Sequence, residues 1–83
     1  IQQETEDQIE ATIREYHIII DLQNHIILHD CADWSRVLTS KHFCKHLGRL
    51  MLSLNKTRAL TILRQIYGNK EAWNFKPYIE NNR

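Results

Sequence analysis

The arrangement His29-x-Cys31, twelve intervening residues, then Cys44-x-His46 constrains this 83-residue chain more than any other feature. It places both of the chain's cysteines and two of its five histidines in one symmetric pattern. In an extended strand, side chains two apart leave from the same face, so His29 and Cys31 at a strand end aim at one point. On a regular helix the same spacing puts Cys44 and His46 on nearly opposite sides, so the second pair converges only with Cys44 at or just before the first helical turn. Two thiolates and two neutral imidazoles fill the tetrahedron of a zinc ion, with Zn–S about 2.3 Å and Zn–N about 2.0–2.1 Å, and leave no position for water. The pattern therefore predicts one structural zinc held by His29, Cys31, Cys44 and His46. Such a complex is formally neutral and tolerates burial. Its binding free energy, on the order of 10 kcal/mol, is comparable with the whole stability of a small domain.

Two other readings of these residues stay open at this point. Cys31 and Cys44 can be small buried hydrophobes with the histidines incidental. They can instead form a disulfide, which needs an oxidising compartment and leaves the paired histidines unexplained. His17, His25 and His42 lie outside the pattern, with His42 the substitute ligand should His46 take no part.

Eighty-three residues make a single domain that buries a modest fraction of its surface, so a metal or covalent staple is a natural addition. An apolar fraction of 42% and a charged fraction of 25% are those of a folded chain. With one proline and two glycines, no linker is expected. No apolar run approaches the roughly 20 residues needed to cross a bilayer, and the start lacks the basic-then-apolar layout of a secretory signal. The expectation is an intracellular, cytoplasmic protein, nucleoid or nuclear if DNA-associated, with no membrane partner and no small-molecule substrate. In that compartment two cysteines are free, catalytic or metal-bound rather than bridged.

Along the chain, residues 4–15 carry acids in their early turns, which predicts a short, weakly amphipathic N-terminal helix, with a frayed leader as the alternative. Tyr16–Asp21 and His25–Asp30 are β-branched-rich runs separated by Leu22-Gln23-Asn24, which predicts a β-hairpin. Residues 32–40 read as a loop with Trp34, Val37 and Leu38 tucked inward. Phe43, Leu47, Leu50, Met51 and Leu54 form the stripe of an amphipathic helix over 44–54. Asn55 caps a second helix from Lys56 to Tyr67 with Ala59, Leu60, Leu63, Ile66 and Tyr67 on its apolar face, and Gly68 takes the left-handed position at its end. Trp73, Phe75 and Tyr78 anchor an irregular tail, and Pro77 bars a long helix there. The fold class expected is α+β: a small zinc-binding domain with an N-terminal helix, a hairpin, the zinc site and two to three C-terminal helices. Its zinc-finger core covers about 16–54, followed by a helical extension over 55–83.

Charge is split along the chain, with eight acids against one base (Arg14) in residues 1–35 and ten bases against two acids in residues 36–83. Either the halves attract each other or one face meets a polyanion. Lys41, Lys45 and Arg49, at offsets of four, are candidate phosphate contacts, with Lys56 and Arg58, and Arg36 and Arg64 further off, extending the patch. The opposing reading is a solvated helix face partly neutralised by the acidic segment. A protein-interaction surface built from Trp73, Phe75, Pro77, Tyr78 and the Ile-rich hairpin is the second function class. An enzyme is not expected: no nucleophile–base pair, glycine-rich phosphate loop or carboxylate pair is present. The remaining catalytic route is an open zinc site with water in place of His29.

The stretch from Tyr16 to Leu54, with Cys44-Lys45-His46-Leu47 leading an amphipathic helix, resembles the SWIM-type zinc finger, whose pattern is C-x-C, a variable gap, then C-x-H. Cys31, Cys44 and His46 match the second, third and fourth ligands, and His29 stands where the family has cysteine, a change zinc accepts. The resemblance covers about half the chain. It implies a non-enzymatic zinc module that binds DNA, or that docks a partner such as a RecA-family recombinase without touching nucleic acid itself.

Overall fold

The structure, a computed structural model, describes residues 3–36, 38 and 41–78. Its first half is a strand meander: β1 (Gln3–Glu4), β2 (Gln8–Ile13), β3 (Tyr16–Asp21) and β4 (Ile26–His29) pair antiparallel in sequence order. The N-terminal helix expected over 4–15 is replaced by β1 and β2. Ile9 and Ala11, two apart, are buried while Glu10 between them is only half-covered. This period of two serves a half-covered sheet and would scatter the same residues around a helix.

The β2–β3 connection is a two-residue turn, since Ile13 pairs with Tyr16. Arg14 there adopts a left-handed backbone with φ 57°. The expected hairpin is β3–β4, its turn organised by Asp21. One Asp21 carboxylate oxygen accepts the Gln23 and Asn24 amides at 3.1 and 3.0 Å, and the other accepts the Asn24 side chain at 2.9 Å.

Three helices follow: α1 (Ala32–Arg36), α2 (Lys45–Ser53) and α3 (Lys56–Gly68). The segment read as a loop thus contains a helical turn that turns Trp34 fully inward; the Val37 expectation lies outside the described residues. Leu47, Leu50, Met51 and Leu54 are buried as the stripe predicts, with Phe43 packed at their edge. Asn55 caps α3 by accepting the amides of Thr57 (2.9 Å) and Arg58 (3.4 Å). On α3 the buried face is Ala59, Ile62 and Ile66, whereas Leu60 and Tyr67, expected inside, are each 42% exposed. Gly68 is the last helical residue and has no positive φ, so it is not the left-handed cap expected there.

The tail is ordered rather than irregular. A 3-10 turn at Lys70–Ala72 leads into β5 (Asn74–Pro77), which pairs parallel with β4 and completes the five-stranded sheet β1-β2-β3-β4-β5. Pro77 sits at the end of this edge strand, where its missing N–H costs no ladder bond to a further strand. The pairing aligns Ile9, Ile20, Ile27 and Phe75 in one buried row across four strands. In the next row lie Ala11, Ile18 and His29. Both rows belong to the apolar core shared with Trp34, Leu47, Leu50, Ile62, Ile66 and Trp73. Burying each such aliphatic side chain contributes about 1.5–3 kcal/mol. Among the described residues no helix is long and apolar enough to cross a membrane.

Candidate metal centre

His29 is the last residue of β4, on the inward row, and the chain leaves the strand through Asp30 to bring Cys31 to the head of α1. Cys44 is the residue immediately before α2, with extended φ/ψ of −78° and 173°, and His46 lies in that helix's first turn. The strand end and the helix mouth therefore meet as the two-residue spacings require. The four ligand atoms lie within 4.8 Å of one another, all four residues being buried. His42, the substitute candidate, is exposed and outside this group.

The sulfurs of Cys31 and Cys44 are 3.6 Å apart and the cysteines are free. A disulfide needs about 2.05 Å. Two sulfurs bound to one zinc at about 2.3 Å stand about 3.8 Å apart along a tetrahedral edge, close to what is seen. The Cys31 sulfur also accepts the Trp34 amide at 3.3 Å. Burial pushes the Cys44 thiol up, opposed by the backbone amides of Leu47 and His46 at the start of α2.

The imidazoles supply the clearest sign of a missing partner. His29 donates Nδ1–H to the carbonyl of His17 at 2.6 Å, which fixes Nε2 as the bare acceptor. His29 Nε2 and His46 Nδ1 are both buried and without a hydrogen-bond partner among the described residues. Buried polar atoms are almost always satisfied, and a metal ion between these two orphans and the two thiols would satisfy both. Burial is the main force holding the His29 pKa below its ordinary value, which keeps the ring in the neutral form a metal requires. Around this donor set lies a second layer. Asp30 accepts the His17 amide (2.9 Å) and the His17 ring (3.0 Å), tying down the strand whose carbonyl holds His29. Tyr16 packs on His46 at 4.8 Å and Trp34 meets His29 edge-on at 5.8 Å. A donor set of two sulfurs and two nitrogens with no oxygen fits a soft or borderline ion of tetrahedral preference.

The basic residues are dispersed more than their spacing implied. Lys45 and Arg49 are exposed on α2, but Lys41 lies off that helix and donates its ammonium to the Lys70 carbonyl at 3.0 Å. Lys56 is exposed at the head of α3. Arg58 is engaged with Glu4 (3.5 Å) and with the Thr5 carbonyl, an ion pair that joins the two halves across 54 residues of sequence, whereas Arg36 pairs with Asp33 three residues away. Trp73 and Phe75 are 0% and 7% exposed and belong to the core, Tyr78 is half-buried and stacks on His17, and only Pro77 of this cluster is exposed. The isoleucine hairpin lies in the middle of the sheet and offers no free edge.

Sequence reasoning missed three things at this site. Arg14, on the β2–β3 turn, lines a groove with Lys45, His46 and Arg49. His17 and Asp30 hold His29 in its orientation. The alternation Ile9/Ala11/Ile13 was the signal that places Arg14, since it makes residues 8–13 a strand ending at the turn. No family model, no curated protein and no solved structure matches this chain. The four-residue group His29, Cys31, Cys44 and His46 is compatible with a zinc finger in a small α+β fold.

Proposed function

We propose that this chain is a non-enzymatic binding module of SWIM-like type, organised around one structural zinc ion, that associates with DNA or with complexes that process nucleic acids. The observation that supports this is the grouping of two sulfurs and two otherwise orphaned imidazole nitrogens within 4.8 Å of one another, a donor set that would fill all four positions of a tetrahedral zinc ion. When bound, zinc supplies a cross-link between β4 and α2 and no catalytic water. His29 and Cys31 would hold it from the strand side, Cys44 and His46 from the helix side. What remains for function is surface, and the exposed cations Lys45, Arg49 and Lys56 favour a polyanionic partner.

The test is titration of metal-loaded protein into labelled DNA across a salt series, with Cys44→Ser beside it. The reading expects one zinc per chain, affinity that falls steeply with salt, and loss of both metal and binding in the variant. Zinc-free protein, or no binding at low salt, contradicts it.

A protein-interaction adaptor is the second reading, and one observation favours it: Leu60, Leu63, Arg64, Tyr67 and Gly68 of α3 form an almost wholly apolar exposed patch. It expects a partner whose binding survives Arg49→Ala but is lost with Leu60→Ser and Tyr67→Ser together.

A further inference from the structure

Three cations converge beside the metal centre in a way the linear charge pattern conceals. Arg14 comes from the turn between β2 and β3, in the acidic half of the chain, while Lys45 and Arg49 come from the first two turns of α2. Together with Tyr16, Gly48 and Leu52 they line a groove of about 670 Å³, a size suited to one or two nucleotide units. Among the described residues no acidic side chain lines it; Glu15, next to Arg14, is not among its walls.

Four other cations are engaged with neighbours. Arg36 pairs with Asp33, Arg58 with Glu4, Lys41 with a backbone carbonyl, and Lys70 lies over Tyr67. The side chains of Arg14, Lys45 and Arg49 make no ion pair or hydrogen bond among the described residues; those of Lys56, Arg64 and Lys76 make none either, but they do not line this groove. Three like charges around one concavity repel each other, a cost that an anion seated between them removes. Arg14 moreover sits in a left-handed backbone conformation that costs a non-glycine residue free energy.

The walls between the cations set the kind of anion. Leu52 is 88% exposed at the rim and the half-buried Tyr16 forms part of the wall. An unstacked base can lie against such apolar surface while its phosphates meet the cations. Paired bases inside a duplex are withheld from a groove of this kind.

We propose that the groove between the β2–β3 turn and the start of α2 binds single-stranded nucleic acid, with Arg14, Lys45 and Arg49 contacting successive phosphates and Leu52 and Tyr16 packing against a base. This rests on the nucleic-acid reading of the module and specifies its site and strand form. Lys41 and Arg58 stand outside it.

The test is fluorescence anisotropy of the metal-loaded full chain with labelled oligothymidylate and with a duplex of equal length. A phosphate contact to a single strand contributes about 0.7 to the slope of log affinity against log salt, so its loss weakens binding roughly fivefold at 0.1 M salt. Arg14→Gly and Arg49→Ala are each expected to show that loss and that drop in slope, while Lys76→Ala, on β5, leaves both unchanged. Arg14→Gly relieves the left-handed turn, so its thermal midpoint should be no lower than that of the parent, which separates binding from folding. Wild-type binding that Arg14→Gly and Arg49→Ala leave intact overturns the groove while the nucleic-acid reading stands. Tighter binding of the duplex overturns the single-strand assignment. Failure of the folded, zinc-loaded chain to bind any nucleic acid at low salt overturns the underlying reading and the groove with it.

Discussion

If one zinc ion fills the proposed site, stripping it would leave this domain with two buried imidazole nitrogens that have nothing to bond. His29 and His46 are 0% and 9% exposed, and His29 Nε2 and His46 Nδ1 lack a partner among the described residues. A buried unsatisfied polar group costs about 1–3 kcal/mol, so the two together cost about 2–6 kcal/mol. A small domain has a total stability of about 5–15 kcal/mol, and one that buries a modest fraction of its surface sits toward the low end. At roughly 4–8 °C per kcal/mol for a domain of this size, the thermal midpoint falls by roughly 8 °C at the least. At the upper end of that range the chain does not stay folded. The assay is calorimetry or circular dichroism under reducing conditions, before chelation, after it, and after adding back zinc in equal amount. Restoration at one ion per chain is expected. A midpoint unmoved by chelation would mean that the four side chains are satisfied without an ion.

Asp30→Ala removes the acceptor that ties down His17, whose carbonyl orients His29. It should weaken zinc binding by about 10–100-fold in competition with a chelating dye while the fold persists. Trp73→Ala empties a fully buried site and orphans the Gln65 carbonyl that accepts the indole N–H at 3.2 Å; urea unfolding should show a loss of about 3–5 kcal/mol, and a loss near zero would place Trp73 outside the core. The Asp21 carboxyl is held below its ordinary range, first by the Asn24 side chain and then by the Asn24 amide. Because its folded pKa is depressed, its stabilisation is present above the unfolded value and is lost as pH falls through the folded one. The stability advantage of the parent over Asp21→Asn should therefore shrink on acidification from about pH 6 to pH 2, and an advantage that grew would contradict the sign.

The metal cluster was legible because its geometry is local: a spacing of two has one meaning at a strand end and another at a helix mouth, and Cys44 had to stand where it does. The stripe from Leu47 to Leu54 and the Asn55 cap were legible for the same reason, each resting on contacts three or four residues apart. Residues 4–15 were misread because Glu4, Glu6, Asp7 and Glu10 mimic the acidic first turn of a helix. In fact Glu4 and Glu10 lie in strands and Arg58 meets Glu4 from the far half of the chain. β5 could not be read at all. Its four residues carry no strand alternation beyond Phe75, and its pairing with β4 depends on where three intervening helices return the chain. The Arg14–Lys45–Arg49 groove was hidden for the same reason, being assembled across about thirty residues of sequence by a turn that the mistaken N-terminal helix had erased.

The central claim is that one ion ties the end of β4 to the start of α2 through two sulfurs and two nitrogens. Zinc-edge X-ray absorption on the purified, zinc-loaded chain tests it most directly. One zinc per chain is expected, with two sulfur neighbours at about 2.3 Å and two nitrogen neighbours at about 2.0–2.1 Å. A coordination shell of light atoms alone, or protein that retains no zinc, would contradict it.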